Sequence, residues 1–256
     1  MGHEDGRYER EEDFHNADTG QRWAAVSRFY DTADASLGHY RALVVSGCAG
    51  RSVLDYGCGD GEFSVLLAER GARVTGIDIS PRRIEEAQQR AAAAGFAGTS
   101  DFAVMNAEQL SFAPGSFDLI CGTSILHHLS LERAVPELAR VLRRDGTATF
   151  VEPLGHNALI NLYRRLTPSF RTVDEHPLLM RDFEVFDRYF GEVDARFFHL
   201  TSLAAVGVRR FKVFPRVVRV LDALDRRLFD RLPLLRRYAW IVVLSLRAPR
   251  RSAEAV

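Results

Sequence analysis

The 256-residue sequence predicts an α/β fold, a mostly parallel sheet covered by helices on both faces. Three observations carry that expectation. Short apolar segments alternate with helix-period segments from Arg51 to Val151. Gly57, Gly59 and Gly61 follow the first apolar segment at every second position, and Asp78 closes the next one, about 20 residues on. In such a sheet a ligand crevice forms at the carboxyl ends of the strands. The glycines and the acid all fall at that edge.

Taken in order, Met1 to Gly20 is polar, mainly acidic from His3 to Asp18, and is expected to be a disordered tail over residues 1–20. Trp23, Val26, Phe29 and Tyr30 recur at helical spacing, and Leu37, Tyr40, Leu43 and Val44 resume it after a break near Asp31 to Asp34. One or two helices therefore precede the first strand. Arg51–Tyr56 reads as a strand, Glu62–Arg70 as a helix and Arg73–Ile77 as a strand. Pro81–Ala94 is a helix with Ser80 as N-cap and Pro81 in its first turn. Strands follow at Asp101–Met105 and Phe117–Cys121, then a helix at Leu131–Arg143 and a fifth strand at Thr147–Val151.

After Glu152 the rhythm breaks. Prolines at 153, 168 and 177 and sparse periodic apolar residues mark an insertion over about 153–181. Asp182–Phe190 reads as a helix and Val193–Leu200 as a strand. A second insertion, 201–237, precedes a last strand at Tyr238–Leu246. Residues 21–256 are read as one domain.

Composition narrows the partners. Lys plus Arg equals Asp plus Glu at 34 each, so the overall charge gives no reason to expect a nucleic-acid partner. Cys48, Cys58 and Cys121 are too few and too widely spaced for a disulfide framework or a zinc site, and they fit a reducing cytoplasm. No basic-then-apolar leader and no stretch near 18 apolar residues occurs, so no spanning helix is expected. A peripheral membrane contact stays open.

The glycine turn lets backbone lie against a ligand where a Cβ would collide. Asp78, at a strand end, can accept two ribose hydroxyls, which implies an adenosine-type ligand. The spacing G-x-G-x-G departs from the dinucleotide pattern G-x-G-x-x-G, which disfavours NAD. Asp55 stands two residues before the first glycine. A carboxylate there would repel a pyrophosphate but suits an ammonium or sulfonium, which points to S-adenosylmethionine.

LDYGCGDG, GIDIS, NAEQLSFAPGSFDLI and LARVLRRDGTATFVEP together resemble the class I S-adenosylmethionine-dependent methyltransferases, closely over Trp23 to Glu152. The resemblance implies a Rossmann-like seven-stranded sheet with an antiparallel last strand, and a helical cap over the substrate built from the two insertions. It implies that Gly57, Cys58 and Gly59 hold the methionine portion, and that Asp78 with Ile79 takes the ribose. Asn106, Ala107 and Glu108 would clasp adenine, with Asn106 standing where the family commonly has Asp. Asn still offers a carbonyl to the adenine amino group. Gly122 and His127 are placed beside the cofactor. Tyr30, with Trp23 and Asp31, resembles an N-terminal aromatic helix that closes over it, and an amphipathic helix burying its apolar side is the competing reading.

Methyl transfer from a sulfonium is an in-line displacement, so positioning is most of the catalysis, and a base is needed only for some acceptors. Glu152, His156 and His128 are the base candidates, and Asn157, Asp174, Glu175 and His176 are candidates for holding the acceptor. The alternative for His156 and His176 is bonding to loop backbone, and for His127 and His128 a shaping role without acid–base work. No metal is expected, because Cys121, Gly122 and Thr123 stand where the magnesium-dependent relatives carry acids. CGTS also lacks the residues that nucleobase methyltransferases place there. Phe211 to Leu235 gives an amphipathic basic helix, read as cap; a surface for anionic lipid is the alternative, with Asp222, Asp225 and Asp230 interrupting its positive face. The leading expectation is methylation of a small organic acceptor, a specialised metabolite, with oxygen favoured. A carbon or amine methyltransferase of a lipid or quinone, and a non-catalytic cofactor-binding regulator, are the alternatives.

Overall fold

The computed structural model describes residues 5–16, 32–167 and 175–250. One seven-stranded sheet has the order β3-β2-β1-β4-β5-β7-β6. Its strands are β1 Ser52–Tyr56, β2 Arg73–Asp78, β3 Ser100–Val104, β4 Phe117–Thr123, β5 Leu142–Pro153, β6 Phe190–Phe198 and β7 Ile241–Pro249. The first five pair in parallel, and β7 runs antiparallel between β5 and β6. Strand order reverses between β1 and β4, which is where the loops diverge and leave a crevice.

The described helices are α1 Asp5–Asn16, α2 Asp34–Gly47, α3 Glu62–Glu69, α4 Pro81–Ala93, α5 Leu131–Val141, α6 Ala158–Leu166, α7 Phe183–Tyr189 and α8 Phe214–Arg231. Side chains alternate along a strand, so Leu54 and Tyr56 enter one core while Val53 enters the other. The first core takes Leu138 of α5, Phe186 of α7 and Phe229 of α8. The second takes Tyr40 and Val44 of α2, Leu67 of α3 and Ile160 of α6. A strand covered on both faces reads as a near-continuous apolar run, which is why β1 was legible. Each buried Leu-sized side chain stabilises the fold by roughly 2 kcal/mol.

Local chemistry sets several boundaries. Ser80 Oγ accepts from Arg83 N at 3.2 Å and Pro81 opens α4, as expected. β5 begins at Leu142, directly after α5, because Leu142 already pairs with Phe117; the helix expected to reach Arg143 stops at Val141. β7 starts at Ile241, since Pro233–Tyr238 winds into a 3₁₀ turn. α6 lies inside the first insertion, where no regular element was expected. Prolines 153 and 168 bracket it, and Asn157 caps it by accepting from Leu159 N and Ile160 N, both at 3.1 Å. Within the tail expected to be disordered, residues 5–16 form α1, held to the body of the protein by the Arg7–Glu108 ion pair and the Tyr8–Glu108 hydrogen bond. Among the described residues no helix is long and apolar enough to cross a membrane.

Candidate active site

The carboxyl edge of β1, β2 and β4 opens on a cavity of about 1150 Å³, above the usual 300–1,000 Å³ of a single-ligand pocket. At its floor the chain leaves β1 and turns through Gly57 (φ 77°) and Gly59 (φ 53°). Gly57 N and Cys58 N both donate to Ile77 O at 2.9 Å, tying the turn to the end of β2. A Cβ on Gly61 would meet that of Ala87 at 2.8 Å, whereas a Cβ on Gly59 would meet nothing within 4 Å. Gly61 is thus needed for packing, while Gly59 adopts a backbone L side chains avoid and leaves the cavity side clear.

Asp78 lines the same cavity. Its Oδ2 accepts from Gly59 N and its Oδ1 from Ser80 N, each at 3.0 Å. Both oxygens are fixed in place and keep further lone pairs for a ligand's hydroxyls. Behind the turn, buried Asp55 accepts from Ser64 Oγ at 2.5 Å. Burial pushes its carboxyl up to about 6 against the Ser64 bond, and the nearby Asp78 charge adds to the rise. An ionised Asp55 is thereby short of a cation. A cradle clear of Cβ atoms, a fixed carboxylate and a second acid seeking positive charge fit an adenosine ligand with a cationic tail.

Cys58, Ile79, Asn106 and Ala107 also line this half. Asn106 Oδ1 accepts from Glu108 N at 2.8 Å, shaping the loop, and Ala107 O accepts from the Tyr56 hydroxyl. Glu108 does not line the cavity. Its carboxylate accepts from Ser130 N at 2.7 Å and Tyr8 Oη at 2.7 Å, and pairs with Arg7 and Arg133. Gly122 is also set back from it, under Ile125 and Phe150. Tyr30 and Asp174 lie outside the described residues.

The other half of the cavity carries the polar cluster. His127 sits between two carboxylates, Nδ1 at 2.7 Å from Glu152 and Nε2 at 3.3 Å from Glu175. Burial works to lower its pKa, but the bonds and charges of Glu152 and Glu175 override that and raise it to about 9, so the ring is a cation at neutral pH. His128 packs against it with tilted rings and centroids 4.2 Å apart, and its Nδ1 lies 3.1 Å from Glu11. Burial and the His127 charge hold His128 below the usual histidine range. His127, His128 and Glu175 have ligand atoms within 4.8 Å of one another, a set able to hold a metal ion where none was expected.

Several expected residues have structural duties instead. Glu152 is wholly buried, accepting from Ile125 N and Leu126 N at 2.9 Å as well as bonding His127, and so fixes the turn after β4 from beneath. His156 does not line the cavity; its Nε2 accepts from Met180 N at 3.4 Å. Asn157 is spent on the α6 cap and on Tyr238 O, to which its Nδ2 donates at 2.7 Å. His176 lines a separate recess, and its backbone N–H donates to His127 O at 2.8 Å.

Residues not anticipated complete the site. Arg7, Tyr8 and Glu11 of α1 line the cavity, as do Tyr163 and Arg164 of α6. Arg164 lies 3.4 Å from Glu175. No residue of the second insertion, 201–237, lines it among the described residues.

The profile of the family described as "Methyltransferase domain" matches residues 54–150. Methyltransferase GfsG of Streptomyces halstedii is 28% identical over 210 residues, 81% of this chain and 69% of that protein. A ubiquinone biosynthesis O-methyltransferase of Pseudomonas paraeruginosa is 33% identical over 119 residues, 46% of this chain and half of that protein. Among solved structures, magnesium protoporphyrin IX methyltransferase from Synechocystis, with S-adenosylhomocysteine bound, superposes with TM-score 0.61 at 18% identity, over 92% of this chain and 97% of that one. At that identity the likeness speaks for the fold.

Proposed function

We infer that this chain, a class I S-adenosylmethionine-dependent methyltransferase, methylates a small organic acceptor at oxygen, with a specialised metabolite as the acceptor class. One observation carries this reading: the glycine turn with Asp78 and the low-pKa His128 open on the same cavity. S-adenosylmethionine, when bound, supplies the electrophilic methyl group. Asp78 would bind the ribose hydroxyls, Asn106 and Ala107 the adenine, and Gly57 to Gly59 the methionine portion, with the Asp55 charge beneath the cationic groups.

The protein's own contribution at the other end is alignment and proton removal. A displacement of this kind gains most from holding the acceptor in line. His128 stays neutral because burial and the adjacent His127 cation disfavour its charged form. A neutral imidazole at this place can take the proton that an acceptor hydroxyl loses. Glu152 and Glu175 hold His127, and through it the Leu126–His128 turn. This revises the expectation that His156 or Glu152 acts as base.

The test is transfer of isotope-labelled methyl groups from S-adenosylmethionine into a metabolite extract, with Asp78→Ala as the blank and mass analysis of the labelled products. O-methylated products from the wild type alone support the reading. Label absent from every product while the cofactor still binds would overturn it. A second reading, a lipid or quinone acceptor methylated at carbon or nitrogen, is favoured by α6: Tyr163 lines the cavity while Leu162 and Leu166 are exposed to solvent. Partition of the labelled product into organic solvent, with a methyl on carbon or nitrogen, would favour it. The three buried, free thiols suit a reducing cytoplasm.

A further inference from the structure

The second insertion is the part of the chain that the cavity leaves without a role. Residues 209–237 carry ten Lys and Arg against three Asp, in a chain whose overall formal charge is zero. In sequence those three aspartates break up the positive surface; in the fold two of them turn inward. Asp225 is buried and accepts from Leu200 N at 3.0 Å, Thr201 N at 2.7 Å and Ser202 N at 3.1 Å. Asp222 lies 3.7 Å from buried His199 with its side chain 12% exposed. The outer side of α8 is left with Arg216, Arg219, Arg226 and Arg227, all exposed, and Asp230 as its acid.

Apolar side chains accompany this charge. Phe211 is 64% exposed, Val220 61% and Leu234 84%. Such residues, set among arginines, form the two-part chemistry of an interfacial surface: rings and aliphatic groups that enter the acyl boundary, and cations that meet lipid headgroups. The 232–238 turn touches the start of α6, a helix that lines the cavity. The backbone oxygen of Tyr238 is bonded to Asn157, the cap of α6, and the outer face of α6 exposes Leu162 at 54% and Leu166 at 73%. A folded-back cap would bury these groups, and a nucleic-acid surface would not need the leucines.

We propose that the outer face of α8 and the 232–238 turn form a docking surface for an anionic lipid bilayer. Docking brings the membrane to the turn that holds the cap of α6, so a weakly polar acceptor dissolved in lipid has a short path to the cavity that α6 lines. The lipid contact itself does not depend on the methyl-transfer reading; the entry route does.

The full chain is sedimented with vesicles of phosphatidylcholine alone and of phosphatidylcholine mixed with phosphatidylglycerol, at low and high salt. The expected result is at least tenfold tighter binding to the anionic vesicles, weakened by salt. The double variant Arg226→Glu/Arg227→Glu should lose the anionic preference, and Leu234→Ser should weaken binding while keeping that preference. All three positions are exposed, and an unchanged thermal melt verifies the fold. Equal or absent binding to the two vesicle types overturns the proposal. So does wild-type binding by the charge-reversal variant, or a dimer on sizing that Leu234→Ser dissolves while vesicles bind nothing. Methyl transfer to water-dissolved acceptors is measured alongside, so that loss of docking and loss of chemistry are read separately.

Discussion

His127 and Glu152 are bonded at 2.7 Å, Nδ1 to carboxylate, with the pair wholly inside the protein. Glu152 lies near the buried end of β5, and its other oxygen receives Ile125 N and Leu126 N, so one carboxylate fixes both the ring and the backbone of the turn that presents His128. His127 therefore gains its proton affinity on folding. Its folded pKa, about 9, lies above the ordinary 6.5. That stabilisation is fully present below pH 6.5 and is lost as pH rises through 9, on the order of 3 kcal/mol. Thermal melts should show wild-type stability falling between pH 7 and 10, and the fall should be absent in His127→Gln. Parallel profiles would show that the ring is not charged in the fold.

Glu152→Gln removes one charge of that buried pair and should cost about 3–5 kcal/mol. If the chain still folds, turnover should drop more than cofactor affinity, because the altered turn carries His128 rather than the glycine cradle. Equal losses in calorimetric affinity and turnover would count against the division of the cavity into two halves.

Asp55 has its carboxyl raised to about 6 by burial. A cationic ligand binds the ionised form better, so affinity for S-adenosylmethionine should rise as pH increases through 6. Asp55→Asn should flatten that rise and also stabilise the ligand-free protein above pH 6, where ionisation in the buried site is unfavourable. A wild-type affinity independent of pH from 5 to 7 would remove Asp55 from the cofactor's surroundings.

Much of the cofactor half was legible because strand-to-helix geometry at Gly57 to Gly61 and the acid at Asp78 are local in sequence. The acceptor half was not. His127 meets Glu152 and Glu175 only through the packing of β5 and the insertion, and neither periodicity nor spacing reports which of His127, His128, His156 and His176 faces inward. His156 and Glu152 stand out as polar residues in an apolar setting, yet that signature belongs equally to groups that fix backbone, as both do here. Helix α1 escaped notice because its polar sequence lacks an apolar stripe; it is held by charge, through Arg7, Tyr8 and Glu108, rather than by burial.

A histidine just after β6 is shifted in the opposite direction to His127. Buried His199 (φ 64°) contacts Ser36 Oγ at 2.9 Å and Ser202 Oγ at 3.1 Å, and burial lowers its pKa to about 4. Its contribution to stability is present above pH 6.5 and is lost as pH falls toward 4, because the unfolded chain binds the proton first. Melts of the wild type should therefore lose stability from pH 6.5 to 4, and His199→Gln should lose less. An identical acid limb in both would assign the loss to other groups.

His127 is already a cation between two carboxylates, so the trio it forms with His128 and Glu175 has its charge satisfied without an ion. Treatment with a chelator followed by dialysis should leave methyl transfer unchanged. A loss restored by one equivalent of a divalent ion would reassign the trio as a metal site.

If the cavity divides into a cofactor half at Asp78 and an acceptor half at His128, calorimetric titration of S-adenosylmethionine into Asp78→Ala and His128→Ala will separate the two. Affinity should fall at least tenfold in Asp78→Ala, where two charge-assisted hydrogen bonds are lost, and stay near wild type in His128→Ala. Unchanged affinity in Asp78→Ala, or an equal loss in both, would contradict that division.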